Sequence, residues 1–366
     1  MDKLHSLSPH FAKEELQQRV LAWYSVNKEA HSWRLLWQQF RDPYFVWISE
    51  IMLQQTTLAA VIPKYDSFIK RFPKIEALVL ASEAQIKREV QGLGYYRRFS
   101  NLHKGMQQVL EASPGDTIAW PQTYAEWLKI PGVGEYTAAA LSSITLDEPE
   151  PVLDGNVIRV LSRIFDIRRA SDDRELKKIL MTLARTLICA SDPGSYNQAL
   201  MELGQKICRP QSPACKICPL QKICLAYARQ STHLAPQAKT RAQAENLQVR
   251  IHILKKAQRF GLFKRCQNAK FLKCTPGFVT ELSDQEQFRI DGEDFSLPGE
   301  RYLGTFQHTI TKHRLKVDVF SVTWQAHWRK SRLLKEGLWL AKSEVATQLV
   351  SSLDMKAWKL VTEVPS

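Results

Sequence analysis

Four thiols stand within one short stretch, "CRPQSPACKICPLQKIC", at Cys208, Cys215, Cys218 and Cys224. Thiols gathered this closely form either a disulfide knot or a metal-binding set. The spacing C-x6-C-x2-C-x5-C holds one close pair flanked by two single cysteines. Structural zinc sites more often use two close pairs set well apart. Iron–sulfur clusters also take four thiolates and tolerate varied spacings. Zinc and an iron–sulfur cluster therefore both stay open on the chemistry alone, and four unrelated buried thiols is the weaker reading. Cys189, Cys266 and Cys274 are scattered and read as structural.

Two carboxylates invite a chemical reading. Glu50 lies in "FVWISEIMLQQT", an almost wholly apolar helical stretch. A carboxyl group there is expected to be partly desolvated, which raises its pKa and suits a general acid near neutral pH. The plainer alternative is a Glu on a helix surface or paired with an Arg. Asp154 lies in the turn "LDGN", ahead of an apolar stripe made by Val157, Val160, Leu161, Ile164 and Phe165. Asn156 has the residue type of an N-cap, and Asp154 taken alone reads as a turn residue. Gly132-Val133-Gly134 allows a tight turn that exposes backbone N–H groups before the small-residue helix Thr137 to Leu141. Such groups bind phosphate without reading sequence, although any helix–helix turn can use such glycines.

These residues need elements to hold them. Residues 12–228 read mostly as helices with apolar stripes, broken by Gly and Pro. Three segments are expected: a helical region over 1–230, a small and polar linker over 231–247, and a second domain over 248–366. In the second domain "QVRIHILKK" and "RLKVDVFSVTW" read as strands, the latter alternating from Leu315 to Val319, and a helix is expected near 342–361. The fold class is thus mainly α followed by α+β. No internal repeat is present. The net charge of +14, basic in both halves, suits a polyanionic partner. No run of eighteen apolar residues calls for a membrane span. The N-terminal residues show no apolar signal core, so an intracellular protein with reduced thiols is expected, which argues against the disulfide knot.

The cysteine spacing resembles the iron–sulfur loop of the endonuclease III and adenine DNA glycosylase superfamily. "LKIPGVGEYTAAAL" at 128–141 resembles that superfamily's helix-hairpin-helix, and "PVLDGNVIRVLSR" at 151–163 its Gly/Pro-rich loop and Asp. "DPYFVWISEIMLQQT" at 42–56, "GLGYYRRFSNLH" at 92–103 and "NQALMELGQKIC" at 197–208 look specifically like adenine DNA glycosylases. The resemblance implies a [4Fe–4S] cluster on Cys208, Cys215, Cys218 and Cys224 that fixes a basic loop against DNA rather than doing chemistry. It implies that Glu50 protonates adenine at N7 and helps activate water. It gives Asp154 the task of stabilising the positive sugar as the base leaves, with Asn156 and Tyr136 in support. Bifunctional relatives carry a Lys where this chain has Tyr136, so the resemblance implies a monofunctional glycosylase; Lys129 does not match that position.

A base must leave the stack before such chemistry. Gln55 and Tyr95 match the family's intercalating residues. Gln198 matches a contact to the extruded adenine, Trp33 and Arg34 match its pocket, and Gly132 and Gly134 anchor the DNA backbone, with a bound monovalent cation implied there. The second domain resembles a Nudix-like module that recognises 8-oxoguanine. "FQHTITKHRLKV" at 306–317 looks like its recognition loop, with Gln307 and His308 as candidate contacts. The chain lacks a Nudix box, which excludes nucleotide hydrolysis there. It also departs from the family at Glu135, at Gln307, near Ile310 and Lys312, and in "RRFS" at 97–100. The expected protein is a monomer acting on double-stranded DNA with adenine opposite 8-oxoguanine or guanine, in the bacterial nucleoid or otherwise inside the cell. The alternatives are an endonuclease III-like glycosylase for oxidised pyrimidines, against which Glu50, the missing Lys and the long C-terminal domain argue, and a non-catalytic damage-binding protein, against which Glu50 and Asp154 argue.

Overall fold

The computed structural model describes residues 11–28, 41–115, 117–238, 244–265, 267, 269–273, 275–282, 289–290, 293–294, 300–324 and 337–363. The chain divides into two compact units: Met1–Glu89 with Tyr95–Thr240, and Arg241–Ser366 with Val90–Gly94.

The first unit is helical, as its apolar stripes require. Its main helices are α1 (Lys13–Asn27), α2 (Pro43–Leu53), α3 (Leu58–Arg71), α4 (Arg97–Glu111), α5 (Glu135–Thr145), α6 (Gly155–Ile164), α7 (Arg174–Leu187) and α8 (Pro193–Lys206). Their starts are written in local chemistry. Asp42 accepts a hydrogen bond from the Tyr44 N–H ahead of Pro43, and Asp192 accepts from the Ser195 N–H ahead of Pro193. An Asp-Pro pair supplies the cap and the fixed φ that open a helix. α2 is buried on nearly every side, from Tyr44 to Met52. A helix apolar all round belongs in a core, and this one carries Glu50 in with it. Its Trp47 meets Trp127 edge-on at 5.4 Å. A second core joins Leu16 and Val20 of α1, Leu161 of α6, Leu180 of α7 and Leu203 of α8, and reaches Leu220 and Ile223 of the cysteine loop.

The second unit holds a mixed seven-stranded sheet. Its strands are β1 (Glu245–Lys256), β2 (Arg259–Lys264), β3 (Pro276–Gly277), β4 (Val279–Leu282), β5 (Arg301–Ile310), β6 (His313–Thr323) and β7 (Leu338–Ala341). The order is β3-β2-β1-β6-β5, with β4 also on β1 and β7 on β2. β1 and β6 are parallel from Glu245↔His313 to Lys255↔Thr323, and β5 and β6 form an antiparallel hairpin. Strand alternation sends Val249, Ile251, Val317 and Val319 to one face. There they meet α9 (Lys342–Gln348) and α10 (Ser352–Glu363), with Trp358 against Phe260 at 4.8 Å. Elsewhere in the unit His252 is buried, with Nε2 at 3.3 Å from Glu281 and Nδ1 at 3.0 Å from Glu300. No helix among the described residues is long and apolar enough to cross a membrane.

Three local expectations change. The single helix near 342–361 is two, because the Ser351 hydroxyl accepts from the Asp354 N–H at 3.0 Å and opens a new helix. The segment "FQHTITKHRLKV" is mostly hairpin rather than loop: Ile310 pairs with His313, leaving only Thr311 and Lys312 in the turn. The 231–247 stretch is structured at both ends. Ser171 N–H donates to the Gln237 carbonyl and Gln237 N–H to the Arg169 carbonyl, while β1 begins at Glu245.

Candidate active site and cysteine cavity

The apolar helix α2 and the small-residue helix α5 pack together, so their polar side chains meet inside the first unit. Glu50 is only 3% exposed. The Tyr136 hydroxyl donates to Glu50 Oε2 at 2.5 Å and also lies 3.6 Å from the Met201 sulfur on α8. Burial, and then the neighbouring Glu50, hold the Tyr136 hydroxyl well above its usual pKa. It therefore stays a proton-bearing donor, aimed at the carboxyl group. Thr137, next on α5, accepts from Gln54 Nε2 at 3.1 Å.

Asp154 is the N-cap of α6, so the expectation that Asn156 caps this helix is corrected. Asp154 Oδ1 accepts from the Asn156 and Val157 N–H groups at 2.9 and 2.7 Å. Asn156 lies within the first turn, and its Nδ2 donates to Asp154 Oδ2 at 2.7 Å. Both carboxylate oxygens are thus held in place. Burial pushes the Asp154 carboxyl above its usual range, opposed by these bonds and by Arg159. Arg159, one helical turn beyond Asn156, donates to Asn156 Oδ1 at 2.9 Å, to the Gly204 carbonyl at 2.7 Å and, through Nε, to the Cys208 carbonyl at 2.7 Å. A continuous run of hydrogen bonds therefore connects Asp154 to the backbone at the first cysteine. Gly204 makes this packing possible: a Cβ there would stand 2.6 Å from the Asn156 Cβ.

The other expected site residues spread over several surfaces. Gln55 follows α2 with φ +56°, and Tyr95 precedes α4 with φ +48°; Tyr95 is 57% exposed. Gly132 takes φ +82°, with Asn101 too close for any Cβ, and Gly134 caps α5 without a side chain. This turn leaves the start of α5 to its backbone N–H groups, the arrangement that suits a phosphate. Gln198 is buried; its Oε1 accepts from the Tyr24 hydroxyl at 2.8 Å, and its Nε2 donates to the Gly194 carbonyl at 3.2 Å. Trp33 and Arg34 lie outside the described residues. A groove of about 1070 Å³ is lined by Tyr136, Gly155, Arg159, Lys177, Lys178 and Arg185 among others. In the second unit, strand alternation puts Gln307 and His308 on opposite faces of β5. Both nonetheless border one polar hollow, with Gln248, Arg314 and Lys316. His308 is half-buried on the helix-covered side, and burial, then Lys356, lowers its pKa.

Cys208, Cys215, Cys218 and Cys224 all line one cavity, together with Arg163. Arg163 is buried, and Nη1 reaches the Cys208 sulfur at 3.3 Å and the Arg209 carbonyl at 2.8 Å. Its Nε donates to the Thr232 and Ala235 carbonyls at 2.9 and 3.0 Å. Backbone N–H groups of Leu220, and of Tyr227 and Ala226, point at the Cys218 and Cys224 sulfurs. Burial pushes these two thiols up to about 12 and about 11. They stay protonated near neutral pH unless a cation binds, and N–H groups directed at sulfur suit bound thiolates. The donor set and its surroundings fit a four-thiolate group. Among the described residues, these cysteines included, no three His, Cys, Asp or Glu side chains are already gathered to hold a metal ion.

Sequence reasoning missed Tyr24, Arg98, Arg159 and Arg163. Only Arg159 left a signal, its i, i+3 spacing from Asn156.

The chain is similar to known proteins. Residues 48–186 match the HhH-GPD superfamily base excision DNA repair protein family. The chain is 40% identical over 214 residues to an adenine DNA glycosylase of Mus musculus, covering 57% of this chain and 41% of that protein. It therefore spans less than half the length of that relative. It is 30% identical over 324 residues to an adenine DNA glycosylase of Buchnera aphidicola, covering 88% of this chain and 91% of that one. The solved structure of a thermostable thymine-DNA glycosylase is similar over 59% of this chain and 97% of its own, with TM-score 0.51 and 26% identity. A match that runs through both units, over a site with this geometry, assigns the chain to the adenine DNA glycosylase family.

Proposed function

We propose that the protein excises adenine paired with 8-oxoguanine, or with guanine, from double-stranded DNA and leaves an abasic site. The observation that carries this reading is the part-buried Tyr136–Glu50 hydrogen bond near the doubly held Asp154 carboxylate. Glu50 delivers a proton to the adenine ring, which makes the base a leaving group. Tyr136 holds that carboxyl group in one orientation. Asp154, its two oxygens fixed by the α6 N–H groups and Asn156, offers negative charge to the cationic sugar as the bond to the base breaks. Water adds to the sugar, with Glu50 accepting its proton. Tyr136 has no amine to form a Schiff base, so the reaction ends at the abasic site.

Gln55 and Tyr95 enter the stack at the mispair, the Gly132–Gly134 turn binds the DNA backbone, and Gln198 faces the extruded adenine with Trp33 and Arg34. The four cysteines would hold a [4Fe–4S] cluster, which would fix the loop after α8 that Arg159 and Arg163 of α6 bind at Cys208. The second domain, read as 248–366 after a linker from 231 and a glycosylase region over 1–230, is a Nudix-like lesion reader that uses Gln307 and His308. The protein works as a monomer on the DNA inside the cell.

Excision assayed on duplexes with adenine opposite 8-oxoguanine and with thymine glycol tests this reading. Adenine release with little borohydride trapping is expected. Preferential release of thymine glycol, or efficient trapping, would point instead to an endonuclease III-like enzyme, and no release from either to a binding protein.

A further inference from the structure

Arg98 has no place in the chemistry just described, yet it is buried at 8% exposure among the residues that flank the expected DNA probes. Its Nη1 donates to the Gln54 carbonyl, and its Nη2 donates to the Thr56 hydroxyl at 2.9 Å. These two acceptors bracket Gln55. The Arg98 backbone N–H donates to the Tyr95 carbonyl at 3.0 Å. One residue therefore grips two segments with a left-handed, non-glycine backbone, at Gln55 and at Tyr95. Such a conformation is unfavourable for Gln and Tyr and persists where surrounding bonds enforce it. The turn is also fastened on its other side, because the Gln54 side chain donates to Thr137 beside Tyr136. Gln54 is the C-cap of α2, four residues beyond Glu50.

We propose that Arg98 is a positioning residue that locks the Gln54–Thr56 turn and Tyr95 into one rigid wedge, registered to the helix that carries Glu50. Insertion of the wedge at a mispair and presentation of the base to Glu50 are then mechanically linked. The planar guanidinium suits this task, because its two terminal nitrogens reach two acceptors at once. A Lys offers a single ammonium and cannot hold both in the same geometry. The proposal rests on the reading of Gln55 and Tyr95 as DNA probes.

The test uses the full-length protein and a duplex with non-cleavable 2′-fluoroadenosine opposite 8-oxoguanine, against the undamaged duplex. The ratio of the two Kd values is the readout, with single-turnover excision alongside. Arg98→Met and Arg98→Lys should each lower the ratio about tenfold, the scale of one lost hydrogen bond to a charged donor. Thr56→Val removes one acceptor without burying a new shape, so it decides the matter if the Arg98 variants fold poorly; it should lower the ratio about threefold. In a Gln55→Ala/Tyr95→Ala background these substitutions should have no further effect on the ratio, since the wedge is gone. A merely structural Arg98 would lower the melting temperature and the excision rate equally in both backgrounds, and that result overturns the proposal. An unchanged ratio for Thr56→Val and for a folded Arg98 variant does the same. If Gln55→Ala/Tyr95→Ala itself leaves mispair binding intact, the probe reading fails and the proposal falls with it. If that variant loses selectivity while the Arg98 and Thr56 variants keep it, only the proposal fails.

Discussion

Gly204→Ala tests whether Asn156 holds Asp154 in working position. The new methyl group would stand 2.6 Å from the Asn156 Cβ and 3.1 Å from its Cα and carbonyl oxygen, where ordinary contact begins at 3.4 Å. Backbone and side chain must yield by about 1 Å, and overpacking of this kind lowers stability by roughly 1–3 kcal/mol. The Asn156 Nδ2 to Asp154 Oδ2 bond, now 2.7 Å, then passes out of good hydrogen-bonding range. A lost hydrogen bond to a charged group is worth about 1.5–3 kcal/mol. Single-turnover excision should therefore slow by roughly 10–100-fold at a temperature where the variant is fully folded. Asn156→Ala should slow it to a similar degree, and the double variant little further, because both act on one bond. A folded Gly204→Ala protein with a depressed melting temperature and a wild-type excision rate would refute the reasoning.

Other outcomes can be checked together. Glu50→Gln and Asp154→Asn should bind the mispaired duplex and lose about 10²–10⁴ in single-turnover rate; near-normal excision by either would remove it from the mechanism. Protein purified without air should carry about four irons per chain, whereas stoichiometric zinc would reject the cluster. For His252, burial lowers the pKa, but Glu281 and Glu300 outweigh it and the folded value lies above the ordinary 6.5. The stability from the charged ring is thus full below 6.5 and lost as pH rises through the folded value. His252→Gln should lower the melting temperature most in acid, with the gap closing in alkali; a gap that widens with pH would contradict this.

Some of this was legible in the residues and some was not. The apolar run around Glu50 and the 315–319 alternation could be read directly, because each depends on neighbours in sequence; the Asp-Pro helix starts went unread although they too are local. The same alternation could have separated Gln307 from His308, had "FQHTITKHRL" been read as strand rather than loop. The cap of α6 was ambiguous, since Asp154 and Asn156 are both capping types; the two N–H bonds to Asp154 Oδ1 decide it. Ser351 with Asp354 three residues on was a visible helix start that the longer helix reading passed over. Arg98, Arg159 and Arg163 were illegible for a different reason. Most of their partners are backbone carbonyls 44 to 72 residues away, and a carbonyl carries no trace of residue type.

The strand order of the second unit has a consequence for its synthesis. β1 is the middle strand and the first to leave the ribosome, yet its eleven-residue parallel partner begins only at His313. Until then the apolar residues Val249, Ile251 and Ile253 lack the neighbour that completes their face. Pairing across so long a gap is slow to form, and an apolar strand whose second edge stays open, with β2 and β4 on the first, invites other chains. A nascent chain that stalls, or a transcript truncated, before residue 313 would release such a strand. Such fragments should aggregate, whereas a chain ending before β1 would release the first unit without that liability.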